Sequence, residues 1–217
     1  MNDAMVKLLD GNTFVVSDQS GDIEATSTDP TGLFAFDTRF LSTWVLTVGG
    51  TRLCPLSVDD LGYFETKFFC VPGPAAVYLD AQLSVARQRT VCDGFVEDIV
   101  VVNHAKDIVD LRVRIDAASD FADLFDVKNN TQKKGTYLSQ VEDGQLVLGY
   151  QRETFCRETV IRTDQLADID EHGLTFQAHI EPQQRWTAHV KVTRRSCNGA
   201  NDSRSCFVPG TAGPART

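Results

Sequence analysis

Val109-Asp110-Leu111-Arg112-Val113-Arg114-Ile115-Asp116-Ala117 is the stretch on which the fold class turns. Its odd positions are apolar and its even positions are all charged. A period of two puts every apolar side chain on one face of a strand and every charge on the other. The same alternation returns in Leu174, Phe176, Ala178 and Ile180, and in Trp186, Ala188, Val190 and Val192. It returns again in Leu79, Ala81, Leu83 and Val85, which lead into Arg87 and Arg89. Ile99 to Val102 is continuously apolar and predicts a central strand covered on both faces.

Turn signals separate these runs. Gly49-Gly50, between Thr43–Val48 and Thr51–Leu56, predicts a two-residue hairpin. Asp93-Gly94, Asp143-Gly144 and His172-Gly173 mark further reversals, and Pro72-Gly73-Pro74 breaks the chain after the aromatic run Tyr63–Cys70. Composition agrees: 23 Val, 20 Thr and 7 Ile outweigh 34 Leu plus Ala, a balance that suits pleated surfaces. The expectation is an all-β, antiparallel supersandwich of about a dozen strands. The one helical signal is Ser119 to Phe125. There Ser119 or Asp120 caps a short turn, and Phe121, Leu124 and Phe125 share its apolar face. From Ser196 alternation stops and Gly, Ser, Asn and Pro dominate. The folded domain is therefore placed at Val6–Arg195, with a disordered tail over 196–217.

Bulk properties exclude several classes. The chain has 217 residues, 42% hydrophobic, with a formal net charge of −9. That length buries a real core. The acidic balance argues against a general nucleic-acid binder. No apolar run approaches the roughly 20 residues that span a bilayer as a helix, and Met1–Lys7 has no secretory pattern, so a cytoplasmic protein is expected. Cys54, Cys70, Cys92, Cys156, Cys197 and Cys206 are scattered without metal-ligand spacing and are read as plain thiols. No metal and no cofactor is expected. The sequons at Asn129 and Asn201 are read as chance, given a cytoplasmic setting.

Chemistry is sparse. There is no phosphate-binding loop, no dinucleotide fingerprint, no H-E-x-x-H and no nucleophile elbow. His104, His172, His179 and His189 are dispersed, and His179 and His189 fall on the polar phase of their strands. Asp120, Asp123 and Asp126 form either a site for a cation or sugar hydroxyls, or a solvated face. Asp37 and Arg39, two apart, bind a polar ligand, pair with one another, or pair with a neighbouring loop. Glycoside hydrolysis needs two facing carboxyl groups, and no such pair stands out. Asp37, Arg39, Asp120 and Asp123 remain the substrate-binding candidates, with no catalytic residue.

Several segments, taken together, resemble one family. They are Thr13–Asp18, Gly21-Asp22-Ile23, Gly32-Leu33-Phe34 and Asp37-Thr38-Arg39-Phe40-Leu41-Ser42, then Arg89, Asp93-Gly94-Phe95, Glu97 and Val102-Asn103. Ser119 to Lys128, Tyr150 to Thr163 and Phe176 to Val192 follow in order. Over Leu8–Val192 the chain resembles the N-terminal domain of bacterial and archaeal glycogen debranching enzymes of the amylo-α-1,6-glucosidase type. The resemblance implies a β-supersandwich set ahead of an α/α-barrel that carries the catalytic acids. No barrel is encoded here, which implies an accessory domain, alone or truncated, that packs on such a barrel and shapes an α-glucan cleft. The alternatives are a stand-alone carbohydrate-binding module, with Trp44, Trp186, Tyr63 or Tyr150 as stacking platforms, and a hydrolase using surface carboxylates.

Overall fold

The computed structural model describes residues 5–26, 30–73, 82–129 and 134–195. The tail from Ser196, Cys197, Cys206, the Asn201 sequon, most of the Asn129 sequon and the Leu79–Ala81 part of one expected strand lie outside them. In chain order the strands are β1 (Val6–Asp10), β2 (Thr13–Ser17), β3 (Ile23–Glu24), β4 (Gly32–Ala35), β5 (Thr38–Leu41) and β6 (Thr43–Val48). Next come β7 (Thr51–Gly62), β8 (Glu65–Pro72), β9 (Leu83–Val91), β10 (Gly94–Asn103) and β11 (Val109–Ala118). The helix α1 (Leu124–Asn129) precedes β12 (Thr136–Glu142), β13 (Gln145–Arg152), β14 (Phe155–Thr163), β15 (Asp168–Asp170), β16 (Gly173–Ile180) and β17 (Arg185–Arg195). Every pairing is antiparallel.

The main sheet runs β12-β13-β14-β17-β10-β9-β8-β7-β6-β11-β16-β15, with β3 added beside β6. It folds over on itself at β7. The first two residues of β7 pair with β6, and the rest pair with β8 through two register shifts, one beside Pro55. A proline cannot donate to a ladder and a bulge bends the strand, so the chain turns its corner there. At the far end β12 comes back to β15, where Ser139 Oγ donates to the Glu171 carbonyl, and the sheet nearly closes. A second sheet, β1-β2-β4-β5, packs on the same core.

The alternation of β11 holds: Val113, Ile115 and Ala117 are buried while Asp110 and Arg112 are exposed. Leu174, Phe176, Ala178 and Ile180 of β16, with Trp44, Leu46 and Val48 of β6, continue that inner face. Opposite them lie Phe95, Ile99 and Val101 of β10 and Ala188, Val190 and Val192 of β17. Trp44 meets Phe95 edge to face at 5.2 Å, and Phe176 meets Trp186 at 5.4 Å. Such pairs contribute about 0.5–1.5 kcal/mol beyond the area they bury. Gly49 and Gly50 have φ of +60° and +76°, as a two-residue hairpin requires. Gly173 passes so close to β11 that a Cβ would lie 1.9 Å from the Ile115 carbonyl oxygen.

Three expectations need correction. β10 is central, between β9 and β17, but only one face is fully covered: Ile99 and Val101 are buried, whereas Val100 and Val102 are half-buried. The helix starts at Leu124, so Phe121 is not on it and the three apolar residues share no face. Phe121 is buried with φ of +46°, while Leu124 and Phe125 are exposed. The cap is Asp123 rather than Ser119 or Asp120. Its Oδ1 accepts from the amides of Phe125 (2.9 Å) and Asp126 (2.8 Å), and Asp126 Oδ2 accepts from the Asp123 amide. That reciprocal arrangement satisfies the amides a helix start leaves open. Finally, Cys92 and Cys156 are disulfide-bonded, and among the described cysteines Cys54 and Cys70 are free. Scattered cysteines gave no sign of this, because disulfides depend on proximity in the fold and not on sequence spacing.

Candidate functional site

The two most distinctive segments of the sequence meet at one corner. The Arg39 amide donates to the Ala122 carbonyl (2.8 Å), the Leu124 amide donates to the Asp37 carbonyl (3.0 Å), and Thr38 forms an isolated bridge with Asp123. Residues 122–124 thus run beside β5 as an extra edge. Arg39, 5% exposed, closes the join: its Nε donates to Asp120 Oδ1 at 3.0 Å, its Nη2 donates to Asp120 Oδ2, and its Nη1 donates to the Thr31 carbonyl at 3.3 Å. Gly32 makes room, since a Cβ there would sit 2.6 Å from Arg39 Cδ. Of the three readings for Arg39, pairing with a neighbouring loop is the one the geometry gives. The Asp37 carboxylate is exposed and stays out of the ion pair, accepting instead from Thr38 Oγ1 at 3.2 Å.

Aromatic rings back this corner. Phe121 lies 5.9 Å from Phe40 and 6.0 Å from Tyr150, and Tyr150 lies 5.2 Å from Tyr137. Tyr137 Oη donates to the Asp120 carbonyl at 3.2 Å. The outer rim is apolar and open: Phe36 is 61% exposed, Leu124 44% and Phe125 76%. Asp123 and Asp126 both serve the helix cap, and Asp120 holds Arg39.

A second concentration of charge is internal. Glu97, Arg87 and Arg89 are all fully buried. Arg87 Nε donates to Glu97 Oε1 (2.6 Å) and Arg89 Nε to Glu97 Oε2 (2.7 Å), while Arg87 Nη1 reaches Asp22 Oδ1 (2.6 Å). Trp44 Nε1 adds a third donor to Glu97 at 3.2 Å. Burial alone would push the Glu97 carboxyl up, but the two guanidiniums hold it below its ordinary value. Burial does push Asp22 up, against the pull of Arg87. The loop from Asp18 to Asp22 lies over this cluster: Arg87 Nη1 and Arg89 Nη2 donate to the carbonyls of Ser20 (2.9 Å) and Gly21 (2.6 Å).

A third feature is an open groove of about 570 Å³ on the outer face of β11 and β16, walled by the Gly49-Gly50 turn. Cross-strand neighbours supply its polar groups: Asp110 faces His179 and Arg112 faces Gln177. His179 Nδ1 lies 2.7 Å from Asp110 Oδ1, and that hydrogen bond raises the imidazole pKa above its ordinary value. His189 is paired the same way, 2.6 Å from Asp98 Oδ1. The expected solvent-facing histidines thus each have a cross-strand carboxylate. Among the described residues no group of three or more His, Cys, Asp or Glu is placed to hold a metal ion.

The family of N-terminal domains found in some glycogen debranching enzymes matches residues 8–191. The chain belongs to this family. No curated protein matches it. Among solved structures, this debranching-enzyme N-terminal domain is similar to a candidate kojibiose phosphorylase from the human microbiome, with a TM-score of 0.50 at 11% identity. The match covers 82% of this chain and 25% of that one, so the domain spans about a quarter of that protein's length. A galactose mutarotase related enzyme from Lactobacillus acidophilus gives 0.46 at 9% identity, covering 90% of this chain and 99% of that one. A galactose mutarotase-like protein from Clostridium acetobutylicum gives 0.33 at 8% identity, covering 68% and 67%. At 11% identity the likeness to the kojibiose phosphorylase chain concerns the fold alone.

The four substrate-binding candidates all lie at the Arg39 corner of this N-terminal domain. Arg39 and Asp120 are joined to each other, Asp123 caps α1, and Asp37 stands exposed at the edge. The buried charges and the groove were not among the candidates. A signal for the first was present: Leu83, Val85, Arg87, Arg89 and Val91 continue one phase, so both arginines had to point inward with the apolar set.

Proposed function

We propose that the chain is the non-catalytic accessory domain of an amylo-α-1,6-glucosidase-type debranching enzyme. It docks on an α/α-barrel that carries the catalytic acids, and it shapes the rim of the α-glucan cleft. The observation carrying this reading is the Arg39 corner, where the family-bearing segments are locked together on the inside and expose Phe36, Leu124 and Phe125 on the outside. An open apolar rim on a charge-locked frame suits a protein interface. The barrel as occupant is favoured because a similar fold makes up about a quarter of a longer sugar-active chain. A glycosidase needs one carboxyl with a raised pKa facing a cleft. Among the described residues the raised carboxyl is Asp22, which is buried against Arg87 instead. On this reading Asp37 is the candidate that remains free to meet glucan at the rim.

The test is complementation. A separately expressed debranching-enzyme barrel should gain limit-dextrin activity when this chain is added, and Phe125→Asp with Phe36→Asp should abolish the gain. Release of glucose from limit dextrin by this chain alone would overturn the reading. A second reading, a free carbohydrate-binding module, is favoured by Tyr63, which is 72% exposed beside Phe64. Retardation on glycogen gels that is lost in Tyr63→Ala would support it.

Among the described residues no helix is long and apolar enough to cross a membrane. Cytoplasmic residence is the reading that the acidic composition favours. The disulfide-bonded Cys92 and Cys156 point the other way, toward an oxidising compartment. Trapping thiols with a maleimide in intact cells separates the two.

A further inference from the structure

We propose that the groove between the Gly49-Gly50 turn and the outward faces of β11 and β16 binds a neutral pyranose unit of an α-glucan. The glucan class rests on the function proposed above; the site and the neutrality of its ligand rest on the groove itself. Its volume, about 570 Å³, falls in the range of small-molecule sites. Its polar groups come as two cross-strand pairs, Asp110 with His179 and Arg112 with Gln177, one rung apart on a rigid ladder. Sites built on strands hold their side chains more exactly in place than loops do.

The next rung shows what Arg112 lacks. Arg114 is engaged with Asp116 (2.9 Å), Asp170 (2.6 Å) and Thr175 Oγ1 (2.9 Å). Arg112 faces the groove with no ion-pair partner among the described residues. A guanidinium and an amide offer donors, and Asp110 with the Gln177 carbonyl offers acceptors, which together match vicinal hydroxyls. An anion is disfavoured, because Asp110 and Glu181, 3.5 Å from His179 Nε2, place two carboxylates at the same edge. The floor is strand backbone at Leu111 and Ala178, whose side chains turn into the core, and the glycine turn leaves a flat wall without side chains. A pyranose ring is itself flat and edged with vicinal hydroxyls that such donors and acceptors meet.

The experiment is an amide NMR titration of the full chain with maltotriose and, separately, inorganic phosphate. Maltotriose at millimolar concentration should shift the amides of Gly49, Gly50, Arg112, Gln177 and His179, with a Kd of about 1 mM. Arg112→Ala and Gln177→Ala should each weaken binding by about tenfold, with an unchanged spectrum elsewhere and unchanged Tm. No shift by maltotriose, shifts confined to the Tyr63 or Phe36 surfaces, or a stronger response to phosphate would each overturn the assignment. Barrel complementation by Arg112→Ala separates the two readings. Full rescue together with lost glucan binding supports the groove, and rescue by a wild-type chain that never binds maltotriose sinks the groove alone.

Discussion

Arg39 and Asp120, 81 residues apart, grip each other through two hydrogen bonds while the guanidinium is almost wholly buried. That contact turns two segments of the chain into one corner. Hydrogen bonds to charged groups contribute about 1.5–3 kcal/mol, and Asp120 is partly open to water. Asp120→Asn should therefore cost about 2 kcal/mol in urea unfolding. Arg39→Ala should cost more, since it also leaves a cavity and an unpaired Thr31 carbonyl. Gly32→Ala should resemble Arg39→Ala, because its methyl group would displace the same side chain. Wild-type stability in all three would show that the corner does not hold the fold.

The cysteines separate by reactivity. Burial pushes the Cys70 thiol up to about 12, while Cys54 is only half-buried. Thiolate is the reactive form. Iodoacetamide at pH 8 should label Cys54 in the native protein and Cys70 only after unfolding. Cys92 and Cys156 should need a reductant as well. Labelling of Cys92 or Cys156 in unfolded, unreduced protein, read by peptide mass, would refute the disulfides.

Much of the sheet was readable because strands with one buried face carry their burial in their spelling, as Val109–Ala117 and Trp186–Val192 do. The hairpin at Gly49-Gly50 was readable because two positive φ angles demand glycine-like residues. The short strands β3 and β15 were not, since two or three residues carry too little periodicity. The Arg39 corner was half readable. Both partners were on the candidate list, but Asp37 stood nearer in sequence, and no local pattern reports a partner 81 residues away. The helix face was misread because Phe121 takes a left-handed conformation that breaks the i, i+3, i+4 geometry.

Acid should loosen one surface clasp at a definite pH. Asp170 is held down to about 2, chiefly by the Arg114 guanidinium and also by the His172 amide. A carboxyl whose folded pKa is depressed adds stability above its unfolded value, and that contribution is lost as pH falls through the folded one. The window here runs from about 4 down to about 2. Asp170 is exposed, so solvent keeps the energy small. Carboxyl NMR should find its titration near 2 in the wild type and near 4 in Arg114→Ala. The same midpoint in both would exclude the guanidinium as cause.

The buried cluster should be the most sensitive point in the fold. Glu97 takes Arg87, Arg89 and Trp44 on one carboxylate, with no exposed atom among the two arginines and itself. Removing one member of a buried ion pair leaves a charge in a medium that solvates it poorly, at about 3–5 kcal/mol. Glu97→Gln keeps the shape but strands two guanidiniums against the single remaining carboxylate, Asp22. It should therefore cost at least that much, and more than Asp120→Asn. Because Arg87 and Arg89 also hold the carbonyls of Ser20 and Gly21, amide exchange over Asp18–Asp22 should rise first. Replacing Arg89 and Glu97 together by Met and Leu should recover part of the loss, since packing then substitutes for charge around Phe68 and Phe95. If Glu97→Gln melts within about 1 kcal/mol of the wild type, the cluster contributes packing rather than electrostatics.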